Sequence, residues 1–109
     1  IHSSSTGECF SRMETLYMMA GFDVPYHVVR RQIASAVDIV VQIARNRNGQ
    51  RIISHIAEVS GMEGNVIGSQ TIAHNPEGQL VSTGLPSLHI KKLHEHGGLP
   101  LDYFSNAKR

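Results

Sequence analysis

The 109-residue chain predicts an α+β domain: an N-terminal helical hairpin, a mostly antiparallel sheet of two to four short strands, and a small C-terminal helical segment. Three observations predict it. Apolar residues recur at helical spacing between Phe10 and Val37. Two β-branched runs, IVVQIA and RIISHIAEV, then flank an Asn48-Gly49 turn signal. Helical spacing returns after Pro86.

The first helix opens on Ser5-Thr6-Gly7-Glu8, a capping box in which Ser5 accepts a backbone N–H and Glu8 reaches back. Phe10, Met13, Leu16, Tyr17 and Ala20 share one stripe, and Gly21 stops the helix as a C′ residue. Asp23-Val24-Pro25 starts the second helix, with Asp23 as N-cap and Pro25 in the first turn. Val29, Ile33, Ala36 and Val37 carry its apolar side, and Asp38 ends the pattern. A two-residue turn at Asn48-Gly49 sets Gln42 opposite His55 and Val41 opposite Ile56. Both faces of the first strand are apolar, which predicts a sheet covered on each side, although the two helices can cover only one. Gly61-Met62-Glu63-Gly64-Asn65 reads as a second turn, and VIGSQTIA as a weaker strand interrupted by Gly68. Asn75-Pro76-Glu77-Gly78 is a third turn, with QLVSTG as a short return strand. Leu88, Ile90 and Leu93 mark a helix ending at Gly97-Gly98, and a last helical turn after Pro100 carries Leu101, Tyr103 and Phe104. Residues 105–109 read as a frayed basic end.

At 40% hydrophobic content the chain can bury one small core. Its formal net charge of +1 argues against nucleic-acid binding driven by charge. So does the lack of any aromatic residue between Tyr26 and Tyr103 to interleave with the arginines. A single cysteine, Cys9, cannot form an internal disulfide and fits a reducing cytosol. No apolar run approaches the ~18 residues of a membrane span, and the polar opening is not a signal peptide pattern.

Phosphate-loop, nucleophile-elbow, CxxC and HExxH motifs are all missing from these residues, so any activity needs groups from elsewhere. His89, His94 and His96 are spaced so that a helix does not bring all three to one ion, and no metal site is expected. His27 and His74 read as surface or turn residues, and His55 as a satisfied sheet residue. Among Arg30, Arg31, Arg45, Arg47 and Arg51, three frame the hairpin tip. There they serve either as phosphate or acidic-partner contacts or as a charged edge that resists aggregation.

The combination of IH, SRMETLYMMAGFDVP, VVRRQIASAVDIVVQIAR and NGQRIISHIAEVSGMEGNVI resembles the CpaF/TadA-type ATPases of tight-adherence (Flp) pilus assembly, within the type II/type IV secretion ATPase superfamily. The likeness is close over residues 1–67 and looser over 68–109. It implies that 1–67 form the C-terminal part of a RecA-like P-loop core and 68–109 a C-terminal extension. It implies a hexamer in the cytoplasm, bound peripherally at the inner membrane to pilus or secretion platform proteins, with ATP and Mg²⁺ as cofactors and no nucleic acid. The phosphate loop, acidic boxes and a first box histidine would then lie upstream of Ile1. His2 matches the last histidine of the family's histidine box, a catalytic position that senses the γ-phosphate or orients water. Arg12 and Glu14 match the family's RLET element; Arg45, Arg51 and Glu58 match its strand pair, as structural or subunit contacts that include an Arg–Glu pair on adjacent strands. His2-Ser3-Ser4-Ser5 departs from the family's His-Ala-Asn-Ser, and Asn48 replaces its usual turn Asp. The chain alone, without loop lysine or Mg²⁺, is expected to be inactive. The alternative is a non-enzymatic protein–protein interaction module.

Overall fold

A computed structural model describes residues 1–21 and 23–105. Helix α1 spans Thr6–Met19 and starts as its cap dictates: Ser5 is extended, and its hydroxyl accepts from the Glu8 N–H at 3.1 Å. Only half of the capping box forms, because the Glu8 carboxylate reaches one residue past the cap and accepts from Ser4 instead of from the Ser5 N–H. The buried stripe centres on Phe10, Glu14 and Tyr17, one turn apart, with Cys9 and Met13 beside it. Leu16 falls on the rim and stays 53% exposed. Gly21, at φ 89°, closes the helix in the left-handed region that glycine enters without strain.

Helix α2 spans Tyr26–Ala36, and its N-cap is Pro25 rather than Asp23. The proline ring excludes Val24 from the helical region, so the helix cannot begin any earlier. Val29 (0% exposed) and Ile33 (6%) are its inward anchors. Fully burying side chains of this size contributes about 1.5–3 kcal/mol each.

Four strands follow as an antiparallel meander in the order β1-β2-β3-β4: Ile39–Arg45, Arg51–Glu63, Val66–His74 and Val81–Ser82. The expected pairs Gln42–His55 and Val41–Ile56 form, but by a different route. The tip is a three-residue loop rather than a two-residue turn. Asn46 N donates to Gln50 O at 2.9 Å, Gly49 N returns to Asn46 O, and the Asn46 side chain accepts from the Asn48 and Gln50 amides. Only Gly49, at φ 77°, takes the left-handed region. The register this loop sets (Ile43–Ile53, Arg45–Arg51) slips by one at a bulge between Gln42 and Ile43, which leaves Ser54 as the extra residue and restores the expected pairs.

The second turn is shorter than expected. It is Gly64-Asn65 alone, with positive φ only at Gly64, while Gly61 and Met62 belong to β2. Gly68 does not interrupt β3. A Cβ there would stand 2.5 Å from Glu63 Oε1 and 2.7 Å from Ser60 Oγ, so the glycine lets the β2 bulge at Ser60 close against its partner strand. Strand β3 runs through residues 67 and 68, so the two segments read from the sequence share one sheet.

The core lies between the helices and one face of the sheet: Cys9, Phe10, Val29, Ile33, Val40, Val59 and Ile67. Alternation places Ile39, Val41 and Ile43, with their partner Ile53, on the other face, where they remain 40–58% exposed. Coverage of both faces is therefore incomplete. The second face is shielded around Glu58 by the segment leading into α3 (Ile90–Gly97), and the Ser82 hydroxyl of β4 donates to Phe104 O of the C-terminal segment at 3.1 Å. Helix α3 has no buried residue and stops at Gly98 (φ 71°); a 3₁₀ turn at Tyr103–Ser105 follows. The expected frayed end lies, apart from Ser105, outside the described residues.

Candidate functional site

A groove of about 640 Å³ runs along the outer edge of β1, with Ile1–Ser3 on its other side. Two kinds of sequence build it. The β-branched run Ile39–Ile43 makes an apolar strand edge, and the polar opening crosses the strand, where Gln42 Nε2 donates to Ser3 O at 2.8 Å. Its lining carries the His2 imidazole and the Arg45 and Arg51 guanidinium groups, all potential donors to an anion, with no carboxylate among them. Arg45 spends one N–H on Gly49 O at 2.9 Å. His2 is exposed. The groove thus brings together the catalytic candidate and two of the arginines, which are far apart in sequence.

It does not bring the others. Arg45 and Arg51 face each other as cross-strand partners, whereas Glu58 sits just past the middle of β2, opposite Ile39 and Gln70. The expected Arg–Glu pair on adjacent strands is therefore absent: seven residues along β2 separate Arg51 from Glu58, too far for side chains to meet. Glu58 is 1% exposed and accepts the Ser87 hydroxyl at 2.6 Å and the Leu88 N–H at 3.0 Å. It is a clasp for the C-terminal segment.

Glu14 is buried and pairs with Arg30 of α2, whose other nitrogen donates to Asn65 O at 3.0 Å. This one guanidinium ties α1, α2 and the β2–β3 turn together. Sequence reasoning set Arg30 among the arginines without finding its partner. The available signal was a carboxylate on the apolar stripe of α1, which needs a cation from a packed neighbour. Arg12 is exposed and helps hold the Glu8 carboxyl below its usual range, behind the larger effect of the Ser4 hydrogen bonds.

His55 lies between two hydroxyls, with Nδ1 3.2 Å from Ser54 Oγ and Nε2 3.4 Å from Thr6 Oγ1, a satisfied sheet histidine. His89, Lys92 and His96 share one side of α3 over a cavity of about 470 Å³ that also touches Asp38 and Glu58. His94 Nδ1 instead meets Leu99 O at 2.9 Å. Among the described residues no three His, Cys, Asp or Glu side chains converge as metal ligands, and no helix is long and apolar enough to cross a membrane.

Comparison with known proteins finds relatives in two strains of Mycobacterium tuberculosis, CDC 1551 and H37Rv, both described provisionally as conjugal transfer proteins. Each is 35% identical over 66 residues, which is 61% of this chain but 18% of the relative. No family model matches the chain. The assignment to tight-adherence pilus ATPases made from the motifs is corrected accordingly: its motifs run through the part of the fold shaped by general packing needs, and the relatives point to conjugal transfer instead. The chain matches less than a fifth of those relatives' length, and it is similar to them over that stretch.

Proposed function

We propose that this chain is one section of a longer protein in a macromolecule-transfer apparatus, in which ATP hydrolysis is coupled to export or assembly. The observation that carries the reading is the 35% identity over 66 residues to the mycobacterial conjugal transfer proteins. The groove supports the ATP-driven part. His2, Arg45 and Arg51 supply donors and positive charge without a competing carboxylate, as an anionic phosphate requires. On this reading the helices and sheet belong to a RecA-like core, the phosphate loop lies in other parts of the polypeptide, and subunits assemble as a hexamer beneath a membrane platform. The chain itself contacts protein rather than nucleic acid, in keeping with its net charge of +1. ATP with Mg²⁺ would supply the transferable phosphoryl group. The residues here bind, orient and stabilise charge.

The test is a mating assay joined to an ATPase assay on the intact gene product. Removing the codons for this section abolishes transfer of a marked plasmid. His2→Ala in the purified intact protein lowers kcat roughly 10- to 100-fold, within the range for losing a positioned donor. Unchanged transfer, or an intact protein without Mg²⁺-dependent hydrolysis, refutes the proposal. A non-enzymatic interaction module is the second reading, favoured by the exposed Ile39, Val41, Ile43 and Ile53 face. It predicts normal transfer in the His2→Ala strain and loss of transfer when that face is made polar.

A further inference from the structure

The face of the sheet that meets the helices changes character partway along. Val40, Ala57 and Val59 are buried there, and the next pair on the same face is Gln42 with His55. A polar pair that continues a core face needs partners, and both take theirs from residues 1–6. Gln42 Nε2 donates to Ser3 O at 2.8 Å, and His55 Nε2 lies 3.4 Å from Thr6 Oγ1. Ser3 and Thr6 are accordingly half-buried, while Ile1, His2, Ser4 and Ser5 are exposed. The two grips are joined on the sheet side by Ser54, the extra residue of the bulge. Its hydroxyl donates to Gln42 O at 3.2 Å and stands 3.2 Å from His55 Nδ1. The one hydroxyl proton is spent on the carbonyl, so His55 Nδ1–H donates to Ser54 Oγ and His55 Nε2 accepts from the Thr6 hydroxyl. The hydrogen bonds thus run in one direction from Thr6 through His55 and Ser54 to the Gln42 backbone, and the Gln42 side chain returns to Ser3.

We infer that Gln42 and His55 are positioning residues for His2: by gripping Ser3 and Thr6 they hold the backbone that carries the imidazole and keep it over the groove, opposite Arg45 and Arg51. The inference deepens the reading of the groove as a phosphate site and rests on it. Ser3 follows His2 directly, so the Gln42 bond fixes the backbone one position from the imidazole. Thr6 is the first residue of α1, so the His55 bond anchors the other end of the same segment. A donor stabilises developing charge only if it is held in place before the reaction, and an exposed side chain on an untethered backbone samples many positions. Gln42 also lines the groove. The strand that walls the groove therefore also sets where the His2 donor stands.

The experiment measures steady-state ATP hydrolysis by the intact gene product carrying Gln42→Met or Thr6→Val, each alone and each combined with His2→Ala. Gln42→Met keeps the length of the side chain and removes the N–H that Ser3 O accepts. Thr6→Val keeps the branched shape and removes the hydroxyl. Each alone lowers kcat about 3- to 30-fold and leaves KM for ATP within about twofold, because a loosened donor costs transition-state rather than ground-state binding. In the His2→Ala background neither lowers kcat further, since a device that acts through His2 has nothing left to position. Thr6→Ser, which keeps the hydroxyl, keeps kcat. An equal loss in both backgrounds overturns the inference, because the bonds then serve the fold alone. Unchanged kcat in both single variants beside an impaired His2→Ala protein also overturns it, and leaves the reading of the groove standing. A His2→Ala protein with full activity, or an intact protein without hydrolysis, overturns both. Thr6→Val leaves β1 and β2 untouched, so the test stands even where Gln42→Met unsettles the hairpin.

Discussion

Glu58→Ala tests the clasp most directly. The carboxylate is 1% exposed and accepts two hydrogen bonds, from Ser87 Oγ at 2.6 Å and Leu88 N at 3.0 Å. Bonds to charged groups contribute about 1.5–3 kcal/mol each. Ser87 and Leu88 recover part of this from water once released, which leaves a net loss of about 2–3 kcal/mol at the anchor. Helix α3 buries no residue of its own, so little apolar packing opposes its release. The loss should therefore appear as local opening of the 87–98 segment before the rest of the fold. In amide exchange, the α3 amides of Leu93 and Gly98 should speed up roughly 30- to 150-fold, at 1.4 kcal/mol per decade, while β2 amides such as Val59 change several-fold less. Glu58→Gln keeps one acceptor and should show a smaller effect in the same residues. If α3 exchange is unchanged while global stability falls, Glu58 acts through the core and the clasp account is wrong.

Three further outcomes follow from the same geometry. Arg30→Met strands the Glu14 carboxylate in the α1–α2 interface and should cost about 2–3 kcal/mol by urea unfolding; Glu14→Gln should cost less, since the Arg30 side chain is 35% exposed and can find water. Equal costs would remove the asymmetry of burial on which this rests. Glu8 has its pKa lowered by the Ser4 hydrogen bonds, so the stabilisation it gives α1 is complete above the usual glutamate range and is lost as pH falls through the lowered folded value. Helicity should show that acid transition, and Glu8→Gln should abolish it. Gly61→Ala places a Cβ in open space but at φ 112°, and should cost about 1–3 kcal/mol through backbone strain alone. Gly68→Ala should cost less if Glu63, an exposed side chain, swings aside. The reverse order in thermal unfolding would show that the Ser60 bulge is rigid.

The local instructions were legible in the residues themselves. The Ser5 cap, the Gly21 and Gly98 stops and the β-branched runs around Asn48-Gly49 each depend on neighbours within a few positions, and each element formed. Only half of the capping box appeared, because Ser4 competes for Glu8 from one residue further out. The hairpin register was legible for an incomplete reason: the three-residue loop and the Ser54 bulge shift it by one in opposite senses, and no pattern of apolar residues reports two cancelling slips.

What the sequence by itself determined is the set of elements and the presence of one core, because caps, glycine stops and apolar periodicity act over a single turn or a single strand. Only the tertiary structure decided the partners. It gave Glu14 to Arg30 of the second helix, turned Glu58 from a strand-pair contact into a clasp on Ser87, and set His2 across a groove from Arg45 and Arg51. The physical reason is that buried charge takes whichever donor packing brings within about 3 Å, and packing joins residues 16 and 29 positions apart that no local pattern connects.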